Sequence, residues 1–334
     1  MHRIAKQIYT EIHKAKRLLL IPHQNPDGDA IGSSTAFAEW LKTIGKSYTI
    51  FCATPVTPRL QFLPHSQEIV SDPNVWQDTA LDCIIVFDSG DLRYAGIADL
   101  RAKYQPQTKL IAFDHHATNE HYGTLNFVDP TASSTCEMLY RFFTSNAVKI
   151  NPAMATSLMT GLMTDTDNFT NAATSAQSLL IGHSLMKQGA KIKLITGSIF
   201  QDKTIATLKL WGLAFTRLEK HPNYDLAYTY LTQADLIDHG VDISVAEGIS
   251  NFMNVLGGHR IVLTLTELPD GKVKGSFRTT RADTDVAMIA KALSGGGHKK
   301  AAGFTVEGPI DQALTQIFSV IEKINTLKEK TITG

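Results

Sequence analysis

Apolar runs that end in acidic or histidine-rich clusters limit the folds open to this chain more than any other feature. In the first half, strand-like runs alternate with helical patterns, which predicts an α/β fold with a mostly parallel sheet and flanking helices. Ligands of open α/β sheets bind beyond the carboxyl ends of the strands, so the polar residues after these runs are candidate site residues. The predicted strands are 17–22, 47–52, 82–87 and 109–113.

The second half predicts a smaller α/β domain that follows a helical stretch. Residues 175–220 have a helical pattern with few turn signals, whereas the last third mixes strand-like and helical runs around a glycine cluster. A chain of 334 residues is long enough for two domains. The predicted parts are a first domain at 1–190, a helical connector at 191–222 and a second domain at 223–330.

Four polar clusters follow apolar elements of the first half. A helix cap could explain the first cluster alone and a solvated turn the third, but four such clusters at one edge of a sheet supply enough ligands for two divalent cations. The clusters are His23, Asp27 and Asp29 after the first strand, Asp88 after the third, Asp114, His115 and His116 after the fourth, and Asp165 after an apolar helical segment.

The types of these residues narrow the metal and the chemistry. Carboxylates and imidazoles without thiolates favour Mn²⁺ or Mg²⁺ and leave Zn²⁺ and iron open. Cys52, Cys83 and Cys136 are odd in number and lie in apolar stretches, so we expect reduced core thiols. Because two cations about 4 Å apart can activate a bridging water and neutralise a phosphoryl group, the clusters predict a two-metal phosphoesterase.

The charge balance bears on substrates and location. Lys and Arg number 32, as do Asp and Glu, so no overall positive field would hold a long nucleic acid. The apolar run near the N-terminus is too short for a signal peptide, and no run is long enough to span a membrane. We therefore expect a soluble, cytoplasmic protein that binds phosphate locally.

The order of the four clusters resembles the DHH phosphoesterase superfamily, in which His-x-x-x-Asp-x-Asp is followed by a lone Asp, the Asp-His-His triplet and a later Asp. Residues 294–304, Ser-Gly-Gly-Gly-His-Lys-Lys-Ala-Ala-Gly-Phe, look like the glycine-rich signature of the DHHA1 domain of the same superfamily. The resemblance covers nearly the whole chain. It implies a DHH catalytic domain at 1–190 and a DHHA1 substrate-binding domain at 223–330.

The resemblance also implies roles for individual residues. Asp88 would bridge two metal ions, His116 would face the scissile phosphate and stabilise its charge, and Asp114 would support the two histidines. The implied ligands are His23, Asp27 and Asp88 for one ion, and Asp29, Asp88, His115 and Asp165 for the other. The family often has glycine two residues after the last of these aspartates, where this chain has Asp167.

In the second domain, the resemblance implies substrate-binding residues. Arg278 resembles a family position that binds a second phosphate, and Arg281 is either a helper or a solvated surface residue. A glycine triplet lets backbone amides approach an anion, although a flexible turn is the commoner meaning of such a run. The implied substrate-binding residues are Arg278, Gly295, Gly296, Gly297, His298 and Lys299.

Within the superfamily, length and domain order look most like the NrnA-type oligoribonucleases and pAp phosphatases, where pAp is 3′-phosphoadenosine 5′-phosphate. The resemblance implies hydrolysis of nanoRNA and linear dinucleotides to mononucleotides, or of pAp to AMP and phosphate, with closure of the second domain over the nucleotide. A homodimer is expected from the same resemblance. The alternatives are a RecJ-like single-strand exonuclease, an inorganic pyrophosphatase or polyphosphatase, and a non-catalytic nucleotide-binding module.

Overall fold

The computed structural model describes residues 2–200, 204–243, 245–253, 258–281 and 283–332, with the backbone alone for residues 245–247, 251, 298 and 325–332. The chain divides into two compact units, Met1–Asp202 and Lys203–Gly334, which are described separately below. The predicted boundaries at 190 and 222, with a separate connector between them, stay a prediction.

The described part of the first unit contains one parallel sheet of six strands. The strands are β1 Arg17–Pro22, β2 Ser47–Phe51, β3 Ile69–Val70, β4 Cys83–Phe87, β5 Lys109–Asp114 and β6 Leu125–Val128. Their spatial order is β3-β2-β1-β4-β5-β6, and every neighbouring pair is parallel. The predicted α/β fold with a parallel first sheet is therefore confirmed.

Helices flank this sheet, as parallel strands require, because the chain must return to the same edge between strands. They are α1 His2–Lys14, α2 Gly28–Thr43, α3 Ala98–Tyr104, α4 Thr135–Ser145, α5 Pro152–Asp165, α6 Ala176–Lys187 and α7 Ile192–Ile195. Short 3₁₀ turns lie at Pro58–Leu60, Ser66–Glu68 and Pro73–Gln77, and a π-helical turn at Thr196–Phe200.

The central strands are buried on both faces, which explains why they are continuous apolar runs rather than alternating ones. All five residues of β4 are buried. On one face Phe37 of α2 packs against the rings of Phe87 and Phe113, with centroid distances of 5.3 and 5.7 Å. A second apolar cluster, which includes Trp76 and Val86, covers the other face. The ends of β1, β4 and β5 are therefore held in a rigid frame.

Helices α2 and α5 approach closely because they meet through glycines. A Cβ on Gly32 would lie 2.5 Å from the carbonyl oxygen of Ser157, and a Cβ on Gly161 would lie 2.3 Å from Oδ1 of Asp29. Contacts this short cannot accommodate a side chain. Gly161 thus leaves the space that the Asp29 carboxylate occupies between the two helices.

The second unit is a mixed α/β domain, again as predicted. Its helices are α8 Ile205–Thr216, α9 Gln233–His239, α10 Val245–Phe252, α11 Val286–Ala292 and α12 Ile310–Ile332. Its strands are β7 Glu219–Lys220, β8 Leu226–Leu231, β9 Ile261–Glu267, β10 Lys272–Arg278, β11 Gly296–His298 and β12 Ala301–Glu307, in the order β11-β12-β10-β9-β8-β7. Strands β8 and β9 pair in parallel, and the other described pairs are antiparallel.

Two further expectations concern cysteines and membranes. Cys52, Cys83 and Cys136 are buried and unpaired with one another, in keeping with reduced core thiols. None of the helices in the described ranges is long and apolar enough to cross a membrane.

Candidate metal-dependent active site

The predicted clusters meet at the carboxyl edge of the first sheet. His23 directly follows β1, Asp88 directly follows β4 and Asp114 is the last residue of β5, and these three strands are neighbours. Asp29 lies in the first turn of α2, and Asp165 is the last residue of α5. These side chains form three groups that could each hold a metal ion, because each residue offers a ligand atom that lies within 4.8 Å of the others in its group. The groups are Asp88, His115 and His116; His23, Asp27 and Asp88; and Asp29, His115 and Asp165.

Asp88 lies between the two outer groups. Its side chain is almost fully buried, with Oδ2 3.6 Å from Nε2 of His23 and Oδ1 3.5 Å from Nε2 of His115. The backbone has a φ of +58°, while its N–H donates to the carbonyl oxygen of Phe113 at 2.9 Å. A left-handed conformation costs energy in a residue other than glycine, and such strain is concentrated at functional sites.

His23 and Asp27 form one side of the cluster. Nδ1 of His23 donates to the carbonyl oxygen of Gln24 at 2.7 Å, which leaves Nε2 directed at the carboxylates. Asp27 is the N-cap of α2, and its Oδ1 accepts from the amides of Asp29 and Ala30. The Asp27 side chain is 53% exposed, so this carboxylate is the solvent-facing member of the group. Both side chains are therefore fixed before any ligand binds.

Asp29, His115 and Asp165 form the other side. Nε2 of His115 lies 3.1 Å from Oδ2 of Asp165, and its Nδ1 lies 3.3 Å from the carbonyl oxygen of Ala132. Asp29 is fully buried, and its two oxygens accept from the amides of Thr135 at 2.5 Å and Cys136 at 2.9 Å. These amides begin α4, where the helix dipole favours a negative charge.

Asp114 holds His116. Oδ1 of the fully buried Asp114 accepts from Nδ1 of His116 at 2.7 Å and from the backbone amide of His115 at 2.8 Å. Its Oδ2 accepts from Nδ2 of Asn119 at 2.6 Å. His116 is 28% exposed, and its Nε2 has no hydrogen-bond partner in the described chain. Asp114 thus orients one ring and leaves its free nitrogen available to a substrate.

The buried charges shift the pKa values of the histidines upward. Burial alone would lower the pKa of His23, but Asp27 and Asp88 outweigh it and raise that pKa to about 12. Burial also opposes protonation of His115, whose pKa the carboxylates of Asp165 and Asp88 raise to about 11. The hydrogen bond to Asp114 raises the pKa of His116. The cluster therefore retains protons on its imidazoles when no other cation is present.

The aspartates show the same excess of negative charge. Burial, followed by the charges of Asp165 and Asp88, raises the pKa of Asp29 well above its usual value. Burial also raises the pKa of Asp165 to about 7, although its contact with His115 opposes the shift. Several carboxylates packed away from water need cations to compensate them. Because every donor in the three groups is oxygen or imidazole nitrogen, the groups fit hard or borderline divalent metals.

Two of the substrate-binding residues predicted in the second unit, Arg278 and Gly297, line one cavity, whereas Gly295, Gly296 and Lys299 are not among its lining residues. The cavity measures about 360 Å³, and its lining includes Lys274, Ser276 and Arg278, which alternate along one face of β10. Gly297 of β11 and Gly303 of β12 line it as well. Two cationic side chains and two glycines at one cavity suit an anionic ligand.

The three glycines of the signature have different surroundings. A Cβ on Gly295 would lie 2.2 Å from the carbonyl oxygen of Gly303, and Gly297 has a φ of +137°. A Cβ on Gly296 would meet nothing within 4 Å. Lys299 is exposed and its carbonyl oxygen accepts from the amide of Val286, whereas the side chain of His298 lies outside the described residues. Packing therefore requires glycine at the first and third positions.

Two family models match the chain. Residues 17–162 match the N-terminal domain of the DHH family, and residues 223–326 match the DHHA1 domain. The chain belongs to the DHH family. It is a phosphoesterase of that metal-dependent family, and hence a hydrolase.

Named relatives match both domains together. Over 324 residues the chain is 29% identical to a bifunctional oligoribonuclease and PAP phosphatase, NrnA, of Thermus thermophilus, covering 95% of this chain and 93% of that protein. It is 26% identical over 292 residues to NrnA of Bacillus subtilis, covering 86% and 89%. A crystal structure of an exopolyphosphatase-related protein from Bacteroides fragilis has the same fold, with a TM-score of 0.90 at 22% identity over 98% of each chain.

Three residues of the DHH domain that sequence reasoning missed or left open lie at the site. Thr135 follows the helix cap Ser134, and its Oγ1 donates to Oδ1 of Asp88 at 3.0 Å. Asn119 supports Asp114, and Tyr94 packs beside His23. Residues 132–137, Ala-Ser-Ser-Thr-Cys-Glu, are rich in hydroxyl side chains, which in the sequence indicates a helix start or a site residue. Nothing in the local sequence indicated Asn119 or Tyr94.

The segment after Asp165, where the chain lacks the family's glycine, has an unusual backbone conformation. Asp167, Asn168 and Phe169 have φ values of +48°, +57° and +62°, which is the left-handed region that glycine adopts most readily. Aspartate and asparagine tolerate that region better than most residues. The turn is therefore made without the family's glycine.

Proposed function

We propose that this DHH protein holds two divalent cations, Mn²⁺ or Mg²⁺, and hydrolyses short oligonucleotides to mononucleotides and pAp to AMP and phosphate. The observation that carries the proposal is the position of Asp88, whose Oδ2 faces His23 at 3.6 Å and whose Oδ1 faces His115 at 3.5 Å. A carboxylate that presents one oxygen to each of two ligand groups is suited to bridge two ions.

The proposed ligand sets follow the groups around Asp88. Asp29 can contribute to a metal because its oxygens are held by backbone amides rather than by a competing cation. The sets are His23, Asp27 and Asp88 for one ion, and Asp29, Asp88, His115 and Asp165 for the other. Two bound cations would supply a water of lowered pKa and would neutralise charge on the phosphoryl group.

His116 is the proposed catalytic residue of the chain itself. Asp114 fixes its Nδ1 proton by a 2.7 Å hydrogen bond, so the free Nε2 can donate to a phosphoryl oxygen when the ring is protonated. The raised pKa of His116 favours that protonated form. Its role is to stabilise the negative charge that develops on the phosphate during hydrolysis.

The choice of substrate draws on the second domain and on the relatives. A cavity lined by Lys274 and Arg278 suits a phosphate other than the one that is cut, and a mononucleotide with one phosphate has no such group. The two NrnA relatives match across both domains. The equal numbers of acidic and basic residues disfavour long polymers. A homodimer and a cytoplasmic location stay predictions.

The test is Mn²⁺-dependent product release from pApA, pAp, a long single strand and pyrophosphate, with the wild-type protein and Asp88→Ala in parallel. Removal of a bridging ligand should lower turnover by about 10³-fold or more. Asp99→Ala is the matched control, because Asp99 is an exposed acid in the first turn of α3 in the same domain. Bound manganese per chain and the unfolding temperature are measured for each protein.

Each outcome selects one function. Cleavage of pApA or pAp that Asp88→Ala loses, together with bound metal, supports the proposal. Processive digestion of the long strand would indicate a RecJ-like exonuclease, and selective pyrophosphate hydrolysis an inorganic phosphatase. Binding without turnover would indicate a non-catalytic module, and full activity of Asp88→Ala in manganese would contradict the two-metal site.

A further inference from the structure

One exposed aromatic side chain lies directly beside the metal-dependent site. Among the phenylalanine, tryptophan and tyrosine side chains of the described residues 2–200, Tyr94 is the one that is exposed, at 48%. A single exposed aromatic residue is common on protein surfaces, so exposure alone indicates no function. The position of Tyr94 beside the charged cluster is the informative observation.

The Tyr94 ring adjoins two different parts of the cluster. Its centroid lies 4.9 Å from that of His23, a member of one ligand group, and 6.5 Å from that of His116, the residue oriented by Asp114. The planes meet at 36° and 62°, so neither contact is a parallel stack that would cover the face of the tyrosine. The ring therefore lies beside both His23 and His116 while about half of the residue stays exposed.

The loop that carries Tyr94 is well fixed. Oδ1 of Asp91 accepts from the amides of Arg93 and Tyr94, each at 2.7 Å. The next residue, Ala95, is fully buried, and Gly96 has a φ of +73° at a point where a Cβ would lie 2.8 Å from Cβ of Ala53. A ring on such a loop loses little conformational freedom when a ligand binds.

We propose that Tyr94 is the stacking platform for the base of the nucleotide whose phosphate is bound at the metal-dependent site. This assignment rests on the proposed function and deepens it. Only one ribose separates the base of a nucleotide from its phosphate, so a phosphate at the cluster brings the base within reach of a neighbouring side chain. A planar base can cover the free face of the ring, whereas pyrophosphate cannot.

Stacking also explains how a short-nucleotide hydrolase could accept many sequences. Every base has a π face, so an aromatic platform binds all four with modest preference, and stronger stacking favours purines. The Tyr94 hydroxyl has no hydrogen-bond partner in the described part of the chain, so the ring rather than the hydroxyl is the proposed contact. Removal of the ring should weaken base-dependent binding roughly 5- to 100-fold.

The experiment compares Tyr94→Ala, Tyr94→Leu, Tyr94→Phe and Tyr94→Trp in the manganese-loaded protein. The substrates are pApA and two analogues in which tetrahydrofuran replaces either nucleoside, which removes one base at a time. KM and kcat are measured for each, together with Mn²⁺ affinity in the absence of substrate and the affinity for AMP. Tyr94→Leu keeps an apolar cover over His23 without a π face, and Tyr94→Phe removes only the hydroxyl.

Stacking predicts a KM for pApA that rises roughly 5- to 100-fold in the Ala and Leu variants and stays near wild type in Phe and Trp. On the analogue that lacks the stacked base, these variants should raise KM several times less. The affinity for Mn²⁺ should stay the same in all variants. Two outcomes would overturn the proposal: an equal rise in KM on all three substrates, or a loss of Mn²⁺ affinity in Tyr94→Ala that is absent in Tyr94→Leu. Either would mean that Tyr94 only covers His23. A rise in KM in Tyr94→Phe alone would mean that the hydroxyl, and not the ring, contacts the substrate.

The proposed function can fail separately. If the wild-type protein cleaves neither pApA nor pAp but binds AMP with an affinity that falls in Tyr94→Ala and Tyr94→Leu, the substrate assignment fails and the stacking platform stands. If the wild-type protein cleaves pApA and all four variants match it in KM and AMP affinity, the platform fails and the substrate assignment stands.

Discussion

The two candidate sites of this protein are built from different parts of the chain. In the DHH domain, side chains make the site, and Asp29, Asp88 and Asp114 are almost completely buried. In the DHHA1 domain, Gly297, Gly303 and side chains of β10 line the cavity. A site of buried carboxylates suits cations and bond cleavage, whereas a site of amides and cations suits an anion that is only held.

The glycines of the two domains have different neighbours. Gly161 is required because the Asp29 carboxylate fills the space beside it, and a Cβ on Gly161 would lie 2.3 Å from Oδ1 of that carboxylate. Gly297 of the DHHA1 cavity is required by its φ of +137° and by the backbone of β12, since a Cβ there would lie 2.6 Å from the carbonyl oxygen of Ala301. We expect changes in the DHH site to act on turnover and changes in the DHHA1 cavity to act on binding.

The largest expected effect is that of Asp165→Asn. The change keeps the shape of the side chain and removes its charge, so we expect kcat to fall by about 10³-fold with a smaller change in KM. The matched control is Asp167→Asn, two residues away, where the side chain is exposed and belongs to none of the three ligand groups. Steady-state kinetics with pApA measures both, and equal losses in the two variants would break the proposed difference between the sites.

The next effect in size is that of Arg278→Ala. Loss of a charged hydrogen-bond donor to phosphate should raise KM for pAp and pApA by roughly 10- to 100-fold while kcat changes less. Arg281→Ala is the control, because Arg281 is exposed and is not among the lining residues of the cavity. A fall in kcat as large as that of Asp165→Asn would place Arg278 in the chemistry rather than in binding.

The sequence predicted the DHH site better than the DHHA1 cavity because strand ends are easy to recognise. Buried parallel strands are long apolar runs, and the first charged residue after each run marks the carboxyl edge, as at Asp88. The neighbours β3 and β6 have two and four residues and gave no comparable signal. The glycine triplet looked like a turn or a loop, whereas Gly296–His298 forms a strand paired with β12.

Most of the supporting contacts could not be predicted because they join residues that are distant in the sequence. Thr135 and Asp88 are 47 residues apart, and their hydrogen bond exists only once α4 packs against the sheet. The side chain of Asn119 and the ring of Tyr94 reach the site from irregular loops, which no periodic pattern marks. Local patterns thus predicted the charged residues, whereas the fold identified the contacts of Thr135, Asn119 and Tyr94 with them.

A smaller effect on the DHH site is expected from Thr135→Val. The change keeps the shape of the side chain but removes the hydroxyl that donates to Oδ1 of Asp88. The Asp88 carboxylate, a proposed metal ligand, is then held less firmly. Loss of such a support typically lowers metal affinity by about 10-fold or more. Calorimetric titration with Mn²⁺ measures the change, and Thr135→Ser should restore most of the affinity. A Val variant that binds Mn²⁺ as the wild type does would leave Thr135 with a role in the helix start alone.

The smallest effect is a pH dependence of the stability that bound Mn²⁺ adds, which we expect from the charges of the DHH site. Without metal, burial raises the pKa of Asp165 to about 7 from a usual value of 3.8, so the folded protein keeps a proton that the unfolded chain has lost. The stability from that proton is complete below the unfolded value and is lost as the pH rises towards 7. His23 and His115, with pKa values raised to about 12 and 11, add losses of the same sign above their usual 6.5.

Bound Mn²⁺ can replace these protons, so its stabilising effect should grow as the pH rises from about 5.5 to about 8. Each kcal/mol moves the unfolding temperature of a domain of this size by roughly 2–4 °C, so thermal unfolding with manganese or with chelator at both pH values measures the difference. In Asp165→Asn the increase with pH should be smaller, because that side chain no longer titrates. Arg278→Ala should keep the full increase, since the charges that cause it lie in the DHH site; a reduced increase there would contradict the separation of the two sites.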